Sequence, residues 1–500
     1  MPAERASQAR ETHGVKTLLG DPKKAILKLS IPMFIAMSIQ TIYNLVDAIW
    51  VAGKGEAALS AVGFFFPFTM LLISVSTGLG IGGGAVISQA IGARDAKKAD
   101  SAASHTLIIM LLLSAALMIP LLIFAQPLFR LMGASSSIRD TLAYSRIMFC
   151  GIPLIFFNQV GMALLRSEGD ANKVMIGMIV GCVLNIALDP LFIYRFQIPI
   201  AKSPAGLGAA EARAASASIG LGLGVAGAAY ATVLSIAVSS VLLFYWLFIQ
   251  RKTYLAVRFR GFRFDSAIIR KIIAIGVPTM LMQMSMSLMM FGVTSIITRI
   301  RGDAGVAVFS TGWRVVQVAT LPILGIGAAV TAVGAAAYGA RSFDKLSASI
   351  NFAVKTGVGI EIVLGAATFF FAPYITRVFT WSAETAHLIG DISAMLRVLC
   401  FVYPATAIGM LTSSFFQGVG KGLYSLIITV TRTLLIAIPL AAILGIVLGL
   451  GMNGVYLGFL IAGWTASCIA LGWTRAFIRT LHSSSPSQCA KSYGLSKGKK

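Results

Sequence analysis

Residues 172–196 read NKVMIGMIVGCVLNIALDPLFIYRF, a run long enough to cross a bilayer, since a spanning helix needs about 20 mostly apolar residues. Asp189 lies well inside this run, and Asn185, four residues earlier, shares its helix face. Pro190 disfavours helical geometry at Asp189, which predicts a strained or kinked backbone. A carboxylate at this depth costs roughly 2.5–3.5 kcal/mol on insertion scales, unless a proton, a cation or a polar cavity relieves the cost. The run therefore predicts a functional buried acid; the alternative is a structural acid bonded to a neighbouring helix.

The composition indicates an all-α polytopic membrane protein. Of 500 residues, 57% are hydrophobic and 12% are charged, and the mean hydropathy is +0.85. Soluble domains carry about 25% charged residues. The net charge of +23 does not indicate nucleic-acid binding, because the basic residues concentrate in loops and tails, where they orient membrane proteins. The five cysteines and four histidines show no spacing typical of a disulfide framework or a metal cluster.

Twelve apolar runs predict twelve transmembrane helices, numbered here as spans 1 to 12. With both termini on the cytoplasmic side, and with Lys28, Lys173, Arg195 and Arg475 near the span ends counted with the adjoining segments, the inside segments hold 27 of the 41 Lys and Arg residues and the outside loops hold 9. This asymmetry supports an even number of spans. The spans are predicted at 25–52, 59–87, 106–124, 142–165, 172–196, 225–249, 272–297, 304–337, 350–371, 387–412, 423–448 and 454–477.

The two halves of the chain repeat each other. LSIP ending at Pro32 matches IGVP ending at Pro278, and the triplet GAR at 92–94 recurs at 339–341. Each half has six spans, so the repeats have the same orientation, which predicts two lobes with a cavity between them. The predicted segments are a disordered cytoplasmic tail at 1–22, lobes at 23–250 and 271–480, a cytoplasmic linker at 251–270 and a disordered basic tail at 481–500.

Polar side chains distinguish the two lobes. Gln40, Asn44 and Asp47 form a polar stripe on span 1, whereas the repeat equivalents of the two acids are Val293 and Ile438. The first lobe therefore carries the titratable site. Candidates for a substrate cavity are the stripe residues Gln40 and Asn44 together with Gln283, Trp313, Gln317 and Tyr403 of the second lobe.

The run GLGIGGGA at 78–85, in span 2, resembles a phosphate-binding loop only superficially, because no strand precedes it and no Lys-Ser/Thr pair follows it. In membrane helices, small residues permit close approach of neighbouring backbones. The run therefore predicts tight helix packing or bending.

The sequence resembles the multidrug and toxic compound extrusion (MATE) family over residues 22–480. The resemblance is carried by IPMFIAMSIQTIYNLVDAIWVAG in span 1, QAIGARD after span 2, RSEGD after span 4 and LNIALDP in span 5, and it is similar to the prokaryotic DNA-damage-inducible branch. It implies two six-helix bundles in a V shape, related by a pseudo-two-fold axis. It also implies a protein of the plasma (inner) membrane that exports small organic, often cationic, compounds by alternating access. The export would be coupled to H⁺ or Na⁺ influx.

The resemblance implies a cation-coupling network of Asp47, Asn185, Asp189 and Thr232, with Tyr144 as a further member. The first four are also the residues that would hold Na⁺. Other branches of the family place acids on spans 7 and 10; here Glu361 and Asp391 lie in spans 9 and 10 in surroundings that do not match that pattern.

Two functions remain open at this stage. Secondary antiport of drugs or metabolites fits two buried acids, and the absence of a P-loop sequence excludes ATP as a direct energy source for this chain. The alternative is a flippase of lipid-linked oligosaccharides or lipids, for which Arg314, Arg397 and Arg432 could line a cationic cavity. No motif of an enzyme appears, and we expect no cofactor, no nucleic-acid partner and a monomer in the lipid bilayer.

Overall fold

The computed structural model describes residues 11–134, 137–199, 216–250, 253–257, 262–380 and 386–483. Within these ranges, eleven helices are long and apolar enough to cross a membrane. Two further helices, Ile138–Cys150 and Ile152–Ser167, meet at a bend of 49° and together form one more span. The prediction of twelve spans is confirmed.

The first lobe contains spans 1 to 6. Their helices are Pro22–Ala52, Glu56–Gly92, Ala96–Ile123, the bent pair Ile138–Cys150 and Ile152–Ser167, Ala171–Ile193, and Val225–Phe244, which continues into the π-helical turn Tyr245–Ile249. A short helix, Ala125–Leu131, links spans 3 and 4.

The second lobe begins with one helix of 54 residues, Ser266–Ala319. At 1.5 Å per residue it would be about 80 Å long, far more than a bilayer thickness. Gly302 divides it, because its φ of 59° and ψ of −150° are not helical. Span 7 therefore ends at this glycine, and span 8 continues beyond it. The helices that follow are Leu321–Gly339, which completes span 8, Phe343–Phe379, Ile389–Leu399 with Tyr403–Gly418, Gly422–Val430 with Ile438–Ala442, and Gly451–Ser483.

Helix packing separates the two lobes and joins them along one seam. Span 5 packs against spans 1 and 6 in the first lobe, and span 10 packs against spans 8, 9 and 12 in the second. Between the lobes, span 2 packs against span 7 and span 1 against span 8. Because spans 1 and 2 repeat as spans 7 and 8, these two contacts are equivalent, as the predicted pseudo-two-fold axis requires.

The glycine run of span 2 lies in this seam. A Cβ at Gly78 would lie 2.7 Å from the carbonyl oxygen of Gly276, and one at Gly82 would lie 2.5 Å from that of Ile272. On the equivalent side, a Cβ at Gly325 of span 8 would lie 2.9 Å from the Ser30 carbonyl oxygen. The prediction that the glycines permit close backbone packing is confirmed.

The two GAR triplets meet at the end of the seam, on the side of the membrane where the described part of the chain begins and ends and where the linker lies; we call this the terminal side. A Cβ at Gly92 would lie 1.9 Å from the Ala336 carbonyl oxygen, and one at Gly339 would lie 2.0 Å from that of Gln89. Arg94 and Arg341 both have positive φ, 56° and 53°, so the repeated triplets form the same turn. The lobes are therefore in contact on the terminal side.

Two local structures differ from the expectations. Within the segment expected to be a disordered tail, His13–Leu19 forms a helix that buries Val15 and Leu18. Within the long loop after span 5, Phe196–Pro199 (β1) pairs antiparallel with Ser216–Ile219 (β2), with Phe196 opposite Ile219. The middle of that loop at 200–215, most of the tail at 484–500 and linker residues 251–252 and 258–261 lie outside the described residues.

Candidate functional site

The two predicted acids come together inside the first lobe. Asp47 lies on span 1 and Asp189 on span 5, and their carboxyl groups are within hydrogen-bonding reach of each other. Asp189 is fully buried and Asp47 is half-buried. One oxygen of Asp189, Oδ1, has no hydrogen-bond partner. Two carboxylates this close cannot both carry a full charge without strong repulsion, so a proton or another cation shared between them would relieve the pair.

Asn185 of span 5 connects the acid pair to Thr232 of span 6. With its amide oriented to suit both neighbours, Asn185 Nδ2 donates to Asp189 Oδ2 at 2.8 Å. Its Oδ1 then accepts from Thr232 N at 3.2 Å and from Thr232 Oγ1 at 3.3 Å. Asn185 is 1% exposed, so these bonds form in a dry environment, where they fix the position of the Asp189 carboxyl group.

Two tyrosines complete the cluster. Tyr144 of span 4 is buried, interacts electrostatically with Asp47 and Asp189, and packs edge-on against Phe65 at 5.3 Å between ring centroids. Tyr43 was not predicted: its hydroxyl lies beside Thr232, and it interacts with both acids. Its spacing of four residues from Asp47 is the signal that could have identified it, since such residues share a helix face.

The backbone at Asp189 stays helical. Span 5 continues through Pro190 to Ile193, and Tyr194 N donates to the Pro190 carbonyl oxygen at 3.1 Å. The helix therefore shows no break at the Asp-Pro step. The proline N has no hydrogen to donate, so this helical turn lacks one backbone bond.

The candidate cavity residues are more dispersed. Gln40 and Gln283 are half-buried, whereas Asn44 and Gln317 are exposed. Trp313 stacks on Phe309 at 5.7 Å and belongs to the core of the second lobe. Tyr403 is only 1% exposed and packs inside that lobe, so its side chain is not available to a cavity ligand in this conformation.

Two of the three arginines considered for a cationic cavity lie far apart. Arg314 and Arg397 are exposed, and Arg397 lies over the Phe369 ring at 5.8 Å. Arg432 approaches span 10 at Gly409 and Met286 of span 7. Gly409 follows Arg397 by twelve residues, which corresponds to about 18 Å along a helix. Arg397 and Arg432 are therefore too far apart to hold one pyrophosphate group together.

A third buried acid, Glu168, lies outside the spans, in the loop between spans 4 and 5. It is 1% exposed and accepts hydrogen bonds from two linker amides, Tyr254 N at 2.8 Å and Leu255 N at 3.3 Å. Burial raises the pKa of Glu168 to about 8, although Lys173 and the two amides act in the opposite direction. The linker between the lobes is thus attached to the first lobe through a titratable side chain.

Comparison with known proteins identifies relatives over nearly the whole chain. A family profile described as MatE matches residues 32–191 and 278–443, one segment in each lobe. The probable multidrug resistance protein YoeA of Bacillus subtilis is 26% identical over 437 residues, which cover 86% of this chain and 88% of that protein.

Two solved structures are 41% identical to this chain. One is described as the outward-facing conformation of a multidrug resistance MATE family transporter of the MOP superfamily, with a TM-score of 0.87 over 95% of this chain and 99% of that one. The other, a MOP superfamily transporter from Pyrococcus furiosus, has a TM-score of 0.86 over 94% of this chain and 99% of that one. It is described as having a reverse polarity of the binding pocket that suggests a different function.

Proposed function

Because this chain belongs to the MatE family of transporters, we propose that it is a secondary active exporter of drug-like organic compounds. Inward flow of H⁺ or Na⁺ through the first-lobe site supplies the energy, and no cofactor takes part. The relative YoeA is named a probable multidrug resistance protein, which supports this substrate class. The protein works as a monomer in a plasma membrane, with both termini in the cytoplasm.

The observation that carries the proposal is the contact between Asp47 and Asp189 in a buried cluster. Such a pair binds a cation more tightly than either acid alone, because the cation relieves both repulsion and desolvation. An ion shifts a conformational equilibrium only if it binds one conformation more tightly than the other. Movement of span 1 against span 5 would change the separation of the carboxyl groups and supply that difference.

Between the two ions, we infer that the geometry favours H⁺. A single proton shared by Asp47 and Asp189 satisfies the pair as it stands. In the amide orientation that suits both neighbours, the Asn185 oxygen faces Thr232 and not the acids, so Na⁺ binding to the predicted four residues needs a rotation of this amide. Hard cations are held by several oxygen ligands at once, whereas a proton needs only the pair.

The seam on the terminal side supports alternating access. The GAR triplets close the cytoplasmic end of the space between the lobes in our assignment of sides, and the outer half of span 1 exposes Ile42, Leu45 and Ile49. Opening this seam while the opposite ends approach each other would present the space between the lobes to the cytoplasm. A flippase function has no comparable support, because Arg397 and Arg432, two of its three candidate arginines, lie far apart.

The test is dye efflux from vesicles containing the purified protein, with ΔpH and ΔNa⁺ imposed separately. We expect ethidium to move outward under ΔpH, with no stimulation by ΔNa⁺ alone. An anionic dye belongs in the same series, because one solved relative is described as having a pocket of reverse polarity. Absence of stimulated transport of either dye under both gradients would refute the export function.

A further inference from the structure

The second lobe contains an acid that the first-lobe mechanism does not use. Glu361 lies at the midpoint of span 9, Phe343–Phe379, and its side chain is 0% exposed. The helix continues for 18 residues on either side of it, about 27 Å each way, so Glu361 lies deep in the membrane. A polar residue at this depth that faces the protein interior is a functional candidate by default.

Neighbouring helices approach span 9 closely on both sides of this acid. One turn before Glu361, a Cβ at Gly357 would lie 2.7 Å from Leu411 Cδ1 of span 10 and 3.2 Å from Ile323 Cδ1 of span 8. One turn after it, a Cβ at Gly365 would lie 3.1 Å from the Cys400 carbonyl oxygen. Glu361 is thus enclosed between spans 8, 9 and 10 on the face that the two glycines mark.

The carboxyl group has few polar neighbours there. Neither Oε1 nor Oε2 has a hydrogen-bond partner. Among the described residues, burial is what acts on this carboxyl group, and no arginine, lysine, histidine or second acid contributes. The titratable groups near it are Tyr403 of span 10, which interacts electrostatically with Glu361, and the Cys400 thiol beside that tyrosine. The Tyr403 hydroxyl makes no well-aligned hydrogen bond, and Thr368 is its other polar neighbour.

A charged carboxylate in this position would cost several kcal/mol, because no cation or donor compensates it. A neutral carboxyl group left without hydrogen bonds costs only about 1–3 kcal/mol. A metal cation would need several oxygen ligands, and among the described residues the Tyr403 side chain is the polar group that interacts with this acid. These costs favour the neutral carboxyl group in this conformation.

We propose that Glu361 is a second proton-binding site of this transporter, located in the second lobe and occupied when the terminal side is closed. It is not the repeat copy of the first site, whose equivalents in the second lobe are Val293 and Ile438. At the offset that relates the GAR triplets, Glu361 corresponds to Ser114 of span 3. Its participation in transport rests on the proposed export function, whereas its protonation does not.

The packing indicates how this proton could be exchanged. The helices of span 8 are interrupted at Thr320, and Ala319 just before the interruption packs in one cluster with Cys400 and Tyr403. A change of angle between the two parts of span 8 would open this cluster and admit water to Glu361. The proton would then leave as the lobe changes conformation and return when it closes.

The first experiment is infrared spectroscopy of the full-length protein with ¹³C-labelled glutamate, which separates Glu361 from the Asp pair. At neutral pH we expect a labelled band of a protonated carboxyl group that Glu361→Gln removes and that the control Glu168→Gln leaves in place. Glu361→Asp should also remove the labelled band, because aspartate carries no label. This variant keeps an acid and therefore tests the assignment even if the Gln variant folds poorly. A wild-type spectrum with no band sensitive to Glu361 substitution would overturn the proposal.

The second experiment measures dye efflux under ΔpH. In Glu361→Gln we expect the gradient-stimulated rate to fall by about 5- to 150-fold, the usual range of a coupling free energy, while dye binding is retained. Efflux at the wild-type rate would refute the transport role of Glu361 alone. Absence of efflux in the wild type would instead refute the export function, and the infrared result would still decide the protonation of Glu361.

Discussion

At the scale of single residues, Asp189 is the side chain on which coupling depends. It is fully buried, and Asn185 donates a hydrogen bond to one of its oxygens. The Asp47 carboxyl group lies within hydrogen-bonding reach of it. Asp189→Asn keeps the size and much of the hydrogen bonding, but it cannot release a proton. We therefore expect the variant to fold and bind dye, and to lose gradient-stimulated efflux to the background level in vesicles.

The matched control is Asp303→Asn, which changes an exposed acid beside the break between spans 7 and 8. This variant should transport like the wild type. If Asp189→Asn exports dye at the wild-type rate under the same gradient, Asp189 has a structural role only.

Tyr43 should adjust the first-lobe site without being essential to it. Tyr43→Phe removes one hydroxyl beside Thr232 and Asp47, and a net hydrogen bond contributes about 0.5–1.5 kcal/mol. We expect the apparent affinity for the coupling ion, measured from efflux as a function of its concentration, to change by about 2- to 12-fold. Tyr230→Phe, at an exposed tyrosine of span 6, serves as the control. A complete loss of efflux in Tyr43→Phe would contradict this assignment.

Sequence reasoning identified the cluster because an acid in an apolar run is rare, and spacing assigned Asn185 to the face of Asp189. It missed Tyr43 because a tyrosine in a membrane helix is unremarkable until its neighbours are known. It also placed Tyr403 in a cavity, where the structure buries it. A sequence shows which face of a helix a residue occupies, but not whether that face meets a cavity or another helix.

At the scale of structural elements, the linker between the lobes should respond to pH through Glu168. The pKa of Glu168 is about 8 when the linker is docked, against a reference value of 4.5 for a free glutamate. Between these two pH values, Glu168 therefore holds a proton while the linker is docked and would release it if the linker undocked. Docking is therefore most stable at low pH and weakens as pH rises towards about 8. We expect hydrogen-exchange protection factors of the Tyr254 and Leu255 amides to fall over this interval.

Glu168→Gln should abolish this pH dependence. The Ala256 amide, which donates to Asp100 Oδ1 at 2.7 Å, is an internal control in the same linker and should not follow the same titration. Protection of Tyr254 and Leu255 that does not change with pH in the wild type would exclude the pKa assigned to Glu168.

Helix existence could be predicted at this scale, but the shape of the connections could not. Span 5 was recognised from its apolar run, and its helix continues past Pro190 to Ile193 without a break. The helix His13–Leu19 lies in a basic segment and is held by burial of Val15 and Leu18. The pairing of β1 with β2 is likewise a tertiary feature, because the two strands are too far apart in the sequence for a local pattern to predict their pairing.

At the scale of the whole molecule, the repeat predicted two equivalent lobes. Glycines along the seam allow the backbones of the two lobes to approach closely. Gly92→Ala would place a Cβ 1.9 Å from a backbone oxygen of span 8, so the terminal ends could not approach as they do here. Overpacking of this kind costs about 1–3 kcal/mol. We expect the variant to populate longer distances between spin labels on the terminal ends of spans 2 and 8.

Gly359→Ala is the control for this experiment, because no heavy atom lies within 4 Å of its added Cβ. It should give the wild-type distance distribution. An unchanged distribution in Gly92→Ala as well would show that the contact between the GAR triplets does not hold the terminal side closed.

The central claim is that drug and coupling ion compete through the Asp47–Asp189 pair, and dye affinity of the purified protein measured across pH, and across Na⁺ at fixed pH, tests it most directly. If one proton is displaced by the dye, affinity falls by at most about tenfold for each unit by which the pH is lowered. We predict this dependence in the wild type and a weaker dependence in Asp47→Asn, in which Asp189 is the one acid of the pair that remains. A wild-type affinity that responds to neither pH nor Na⁺ would contradict the account.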